Sequence, residues 1–499
     1  VESRGLGDVY KRQQHTLSVR GVRGVTSAGM LVLADDRYTA IPVLDYNMPY
    51  TMSQTSDDID RIEIVRGPGA AVYGPNTTQG VLHVITRSPF RSPGTSVSLM
   101  GGERNSWQGT LRHAGLAGEN VAYRISAQVM RGQDWEYTDP VEIREREEAI
   151  AEGASPDTLR IAARDPQIGH LRTDARLDWE AGDNTTLIFN SGLVNTGSAI
   201  DMINTTGAIQ AKDWSYAYFQ GRLQHKELRA NLLYNFGSTG DSYFLRTGEP
   251  AFDESRLFAA QVRHSLRLFD RSTVLYGSDF RHSETRTDGR VNGRYEDDDI
   301  MNELGGYVTS TTALNSKLDL VAALRTDYHD RINDLAVSPR VGLVYEPREG
   351  HAFRLTYNRA YDSPGARDLF VDLKLDQLMP GQDMRLVAVP QDGFQFTRDC
   401  SGQYCMRSIF HPEGAAAVLP ADATLMWPVL VEEGLVPSSV PAPDGSQVGT
   451  DLRSYDVAKG AFTPITQINN LEQWGRNYLR SVETGNKCQF GARTEVFAD

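Results

Sequence analysis

Between Leu171 and Glu180 the chain alternates: Leu171, Ala175, Leu177 and Trp179 share one parity, and Arg172, Asp174, Arg176, Asp178 and Glu180 the other. Only an extended strand, whose side chains point to opposite faces with period two, puts those charges on one side. Val121 to Val129 repeats the pattern, with Val121, Tyr123, Ile125, Ala127 and Val129 against Arg124, Ser126 and Gln128, and Leu318 to Tyr328 does so again. From Gly94 onward such runs recur at about the 9–11 residues a tilted membrane strand requires. Short turn signals such as Ala181-Gly182-Asp183-Asn184, Asn315-Ser316 and Pro347-Arg348-Glu349-Gly350 alternate with long polar insertions such as Thr138 to Gln167. Short turns on one side and long loops on the other are the asymmetry of an outer-membrane barrel.

Composition permits this reading. The mean hydropathy is -0.42, and no apolar run reaches the roughly 18 residues of a spanning helix. A barrel is nevertheless compatible with a polar average, because lumen-facing polar residues dilute every hydropathy window. The net charge of -14 disfavours nucleic acid as a partner, since phosphate binding wants basic patches. No catalytic constellation stands out. The ten histidines show no i, i+4 zinc pair, no Gly-x-Ser-x-Gly elbow occurs, and Glu296-Asp297-Asp298-Asp299 lacks EF-hand spacing. The expectation is no enzyme, no metal centre and no cofactor. Cys400 and Cys405 lie in a polar loop, CSGQYC, either as a local disulfide or as two free thiols.

Ile62 to Arg87, IEIVRGPGAAVYGPNTTQGVLHVITR, places two β-branched runs around Gly67, Gly69, Gly74 and Gly80. It predicts a strand, a glycine-rich turn that can press against a neighbouring surface, and a return strand. A phosphate cradle is excluded: there is no Gly-Lys-Ser/Thr ending, no third dinucleotide glycine, and Pro68 and Pro75 remove amide donors.

Taken whole, this stretch resembles the signature of the plug domain of TonB-dependent outer-membrane receptors. The resemblance rests on Glu63-Ile64-Val65, Arg66-Gly67-Pro68 with Gly69, Tyr73-Gly74 and Gly80-Val81-Leu82. A second block, Val337 to Phe370, with Ser338-Pro339-Arg340, Val344 to Pro347, and Tyr357 to Ser363-Pro364, is similar to the family's mid-barrel segment. The resemblance implies an all-β membrane protein with a mixed α+β plug inside an antiparallel transmembrane β-barrel. About 13 barrel-strand candidates precede Tyr361, against the 22 or so of plugged transporters.

The expected organisation is a non-native or unassigned tail at 1–14, a plug at 15–90 lacking its upstream signal and TonB box, an incomplete barrel at 94–370, and a long loop-like insertion at 371–499. A chain so truncated is not expected to transport by itself, because an open barrel edge invites aggregation. Met30 to Ala34 reads as a buried strand, and Asp35-Asp36 stands where the family has Asp-Gly. Ser56 is the expected cap of a short helical turn.

By resemblance, Arg20 and Arg66 are plug–barrel latches facing acidic residues on the wall, and Thr26, Ser27, Tyr46, Asn47, Met48 and Tyr50 form a ligand-facing apex. The implied activity is TonB-dependent import across the bacterial outer membrane of a small-molecule ligand, foremost a ferric siderophore or other iron chelate. Cobalamin, haem, oligosaccharide or peptide are the alternatives. The implied partners are TonB and outer-membrane lipid, with the receptor a monomer. From other classes, a passive porin or a soluble glycine-rich nucleotide-binding enzyme would compete.

Overall fold

A computed structural model of the 499-residue chain describes residues 30–41, 51–67, 69–203, 207–379, 382–388, 396–400, 403–407, 416–418, 453–456 and 461–464. Two compact units divide it: residues 1–375 with 385–388, and residues 376–384 with 389–499. Among its described residues the second unit holds a three-stranded sheet of Phe396–Cys400, Gln403–Arg407 and Ala416–Val418, and a hairpin of Arg453–Asp456 with Ala461–Pro464.

The first unit begins with a four-stranded sheet of β1 (Met30–Ala34), β2 (Arg37–Tyr38), β3 (Ile59–Arg66) and β4 (Gly80–Thr86), ordered β2-β1-β4-β3. Every residue of β1 is buried, as its unbroken apolar run requires. The β1–β2 turn is the residue pair Asp35-Asp36, at φ 50° and 67°. A two-residue hairpin needs two left-handed residues, and Asp adopts that conformation at modest cost, so the departure from Asp-Gly leaves the turn intact. The glycine-rich hairpin is β3–β4, paired antiparallel, and its turn contains a four-residue helix, α1 (Ala70–Tyr73). The sequence pattern gives no sign of the parallel pairing of β1 with β4. The helical turn at Ser56–Asp58 is a 3-10 helix. It is capped from Thr55 and not from Ser56: Thr55 N and Oγ1 each donate to Asp58 Oδ2 at 2.9 Å.

The large antiparallel sheet comprises β5 (Gly94–Gly101), β6 (Trp107–Leu116), β7 (Val121–Gln133), β8 (Gln167–Gly182), β9 (Thr185–Ile203), β10 (Gly207–His225), β11 (Leu228–Ser238), β12 (Tyr243–Phe244), β13 (Arg256–Leu268), β14 (Ser272–Glu284), β15 (Met301–Asn315), β16 (Leu318–His329), β17 (Ile332–Arg348) and β18 (His351–Asn358). All pair in sequence order except β12, which joins β10 off the path, and β5 and β18 form the two edges. At one end the turns are short, as at Asp183-Asn184, Lys226-Glu227 and Ser316-Lys317. At the other lie residues 134–166, 239–255 and 285–300, the first of which carries a helix, α2 (Pro140–Ala151).

The two faces of the sheet invert the usual order of a water-soluble protein. On β8, Asp174, Arg176 and Asp178 are buried, whereas Leu171, Leu177 and Trp179 are exposed; on β7, Arg124 and Ser126 are buried and Ile125 is exposed. Exposed Leu232, Phe258, Val262, Leu304, Val308, Leu324, Val341 and Leu343 carry the same outward row around the sheet. Water would leave this apolar surface unsatisfied, whereas hydrocarbon accommodates it.

Candidate functional site: the plug–wall interface

Polar side chains from β5 to β11 and from β13 hydrogen-bond or ion-pair with the plug, so the wall is curled around it. Three contact zones account for most of this.

The first zone is the Asp35-Asp36 turn with the strand that follows it. Asp35 lies near Arg176 and Arg222, each 3.8 Å away, and accepts from Thr86 N at 3.1 Å and Thr86 Oγ1 at 2.6 Å. Burial works against its charge, but the two guanidiniums and the Thr86 bonds hold its carboxyl below the usual value. Wall amides bond the turn's backbone: Gln220 donates to Asp35 O at 2.8 Å, Asn231 to Asp36 O at 3.1 Å and Asn235 to Tyr38 O at 2.9 Å. The Tyr38 ring packs against Leu233, Leu257 and Ala259 of the wall, and burial, followed by nearby Asp279, pushes its hydroxyl up to about 12.

The second zone is the segment 53–58. Asp174 of β8 accepts from Ser53 Oγ (2.6 Å), Gln54 Nε2 (2.8 Å), Tyr218 Oη (2.7 Å) and Arg124 Nη2. Arg124 also lies 3.2 Å from Asp58, beside Arg112 at 3.6 Å. Gly192 on β9 gives the plug room, because a Cβ there would overlap both Ser53 and Tyr218.

The third zone belongs to the glycine-rich turn. Gly74, at φ 87°, sits on the Arg325 guanidinium, 2.9 Å from where its Cβ would be, and Arg325 is itself held by Asp279 at 2.8 Å and by Asp327. Asn76 N donates to Tyr361 O (3.3 Å), Ser363 N to Asn76 Oδ1 (2.8 Å) and Thr78 Oγ1 to Asp362 (2.9 Å). The two sequence blocks that resemble the family thus meet in space.

The expected latches are only partly placed. Arg20, Thr26, Ser27, Tyr46, Asn47, Met48, Tyr50 and Pro68 lie outside the described residues, as do the side chains of Cys400 and Cys405. Arg66 ends β3, is exposed, and makes no ion pair among the described residues. Glu63 pairs on the same strand with Arg61 at 2.7 Å. Gly67 takes φ 86°, Gly69 is buried, and Tyr73 packs against Leu31, Leu33 and Val81. The ion pairs seen between plug and wall have the opposite polarity to the one expected for Arg66: Asp35, Asp36 and Asp58 are on the plug, and Arg112, Arg124, Arg176, Arg222 and Arg263 are on the wall. The legible signal was the charged parity of the alternating strands, which already marked Arg124, Asp174, Arg176 and Asp178.

At the long-loop end, Asp253 is buried, accepts from Ser255 N at 2.9 Å, and is pushed up to about 6 by burial, with Glu254 and Glu296 adding to the effect. A carboxyl raised above its unfolded value stabilises its loop below that unfolded value and loses the contribution as pH rises through about 6. Once intrinsic rates are corrected, the amides of Thr239, Asp253 and Ser255 should exchange more slowly at the acidic end of that window than above it. Asp253→Asn should flatten the dependence.

Fold and interface together define a class: a membrane sheet wrapped around an internal plug by buried polar contacts. Residues 8–81 match the TonB-dependent Receptor Plug Domain, and residues 149–397 match the family described as TonB dependent receptor-like, beta-barrel. The chain belongs to the TonB-dependent receptor family. It is 24% identical over 336 residues to the vitamin B12 transporter BtuB of Vibrio vulnificus, covering 64% of this chain and 50% of that protein. It is 23% identical over 379 residues to the ferric enterobactin receptor of Pseudomonas aeruginosa, covering 64% and 48%. It therefore spans about half the length of these relatives. A crystal structure of the latter receptor, in mutant form, superposes with a TM-score of 0.52 at 16% identity over 73% of this chain and 58% of that one. The FrpB iron transporter of Neisseria meningitidis does so with 0.52 at 13% over 68% and 57%.

Proposed function

We propose that this chain is part of an outer-membrane receptor that imports a scarce metal chelate, foremost a ferric siderophore, by TonB-dependent gating of the plug. The observation that carries the reading is the plug clasped by buried ion pairs inside the wall, which blocks passive diffusion. A ligand held at nanomolar affinity needs about 12 kcal/mol for release, and work of that size must come from outside the receptor. Moving the plug breaks hydrogen bonds and ion pairs that water can replace, so the interface suits repeated rearrangement. The outward apolar rows suit outer-membrane lipid, with the receptor as a monomer and TonB as its energy-transducing partner. Thr26, Ser27, Tyr46, Asn47, Met48 and Tyr50 belong to this proposal as ligand contacts. So do Arg20 and Arg66 as plug latches.

Cobalamin is the second reading, favoured by 40% identity over 81 residues to the vitamin B12 transporter BtuB of Vibrio cholerae. Cells carrying the full-length gene product should accumulate radio-iron presented as siderophore chelates. Collapsing the proton gradient should abolish uptake and leave surface binding intact. Accumulation of radio-cobalt cobalamin alone would move the cargo to the second reading, and uptake indifferent to the gradient would overturn energised import.

A further inference from the structure

Beyond β18 the chain does not simply leave the wall. Residues 359–372 cross from the plug to the loop 285–300, touching both. At the plug end, Tyr361, Asp362 and Ser363 hold Asn76 and Thr78 through the bonds given above. At the other end a short helix, α3 (Ala366–Phe370), buries Ala366 and Phe370 against Met301. The Phe370 ring lies 6.3 Å from that of Tyr295 and under the Arg331 guanidinium at 5.3 Å. Arg294 Nε donates to Asp372 Oδ2 at 2.8 Å, and Asp372 N donates to Val291 O at 2.8 Å. Gly293, at φ 48°, lets Asp372 approach so closely that a Cβ would stand 2.8 Å from its carboxylate.

The loop itself is cross-braced. The Glu296 carboxylate accepts from Thr287 N and from Asp288 N (2.8 Å), and Asp299 Oδ2 accepts from Thr285 Oγ1 (2.6 Å) and Asn292 Nδ2 (2.7 Å). A braced loop moves as a unit, so a force on it reaches Asp372 and Phe370 before it dissipates within the loop.

We propose that residues 359–372 are a strap coupling the loop 285–300 to the glycine-rich plug turn, with Asn76, Thr78 and Asp362 as its positioning residues. The strap has few alternatives to moving with both ends, because each end is fixed by charged or backbone hydrogen bonds and the intervening α3 is packed. A shift of the loop is therefore delivered to the one plug turn that also rests on Arg325. The proposal rests on the gated-importer reading for its purpose, but its physical content is a coupling between two sites, which must be reciprocal.

Hydrogen exchange on the detergent-solubilised full-length receptor tests it without cargo or TonB. Arg294→Gln acts at the loop end, and Thr78→Val removes a donor at the plug end while keeping its shape. Each variant is expected to accelerate exchange at both ends by about 5-fold or more, read at Gly67, Gly69 and Asn76 in the plug and at Asn292 and Asp372 above it. Arg367→Gln, on the half-buried side of α3, should leave both ends unchanged. If Arg294→Gln loosens only residues 287–296 and Thr78→Val only residues 67–80, the strap does not couple them. That failure would leave energised import standing, whereas gradient-independent uptake with intact coupling would overturn import alone.

Discussion

Arg124→Ala is expected to destabilise the seated plug by about 3–5 kcal/mol. The guanidinium is fully buried and bridges Asp58 on the plug to Asp174 on the wall. Its removal leaves two carboxylates facing each other out of reach of water, and the cost is chiefly that of the stranded charges. Asp58 would keep Ser126 and Thr55 as donors and the Arg112 guanidinium at 3.6 Å, and Asp174 would keep Ser53, Gln54 and Tyr218, so the network does not collapse altogether. Arg124→Lys should recover part of the loss, since an ammonium retains the charge but not the planar fork that serves two carboxylates at once. Adding Asp58→Asn and Asp174→Asn to Arg124→Ala should recover more, because neutral amides are cheaper to bury than unpaired anions. Protease susceptibility of the plug across a denaturant series checks the order. A loss below about 1 kcal/mol, the scale of an exposed pair, would show that the plug is anchored elsewhere.

The same residues show how far the sequence could be read. Period-two alternation marked the strands β7, β8 and β16 because extended geometry leaves no other way to sort their side chains. It also sorted the two faces, but it could not assign them: the parity that carries Arg124, Asp174 and Arg176 is the buried one, and only the plug filling the lumen makes it so. The carboxylates that the plug offers to the wall were less legible for a related reason. Arg66 lies within a motif, at the exposed end of β3, an edge strand of the plug sheet, and pairs with no carboxylate among the described residues. The acidic turn that the wall does grip, Asp35-Asp36, read as a departure from the family's Asp-Gly. Its left-handed backbone and its carboxylates serve at once, which glycine could not do. The parallel pairing of β1 with β4 and the meeting of Asn76 and Thr78 with residues 361–363 join segments far apart in the chain, where local pattern carries no information.

The second large effect concerns the glycines of the motif, and two of them should fail in different ways. Gly80 has φ 145°, and a Cβ there would overlap the carbonyl oxygen of Val65. That oxygen is backbone in the paired strand β3, so it cannot swing aside without opening the β3–β4 register at Arg66–Gly80. Gly80→Ala therefore combines a backbone strain of about 1–3 kcal/mol with lost pairing, and should unfold the hairpin itself. Gly74→Ala carries the same order of backbone strain at φ 87°, but its Cβ meets a side chain, Arg325, at 2.9 Å. Arg325 has little freedom to withdraw while Asp279 and Asp327 hold it. The plug sheet should still form, and its seating on β16 should weaken. Hydrogen exchange separates the two: Gly80→Ala should expose amides along β3 and β4, while Gly74→Ala should leave those protected and loosen residues 74–79 together with 361–363. Identical exchange patterns in the two variants would mean that the turn and the wall contact are not independent, and that Arg325 supports the hairpin's fold as well as its position.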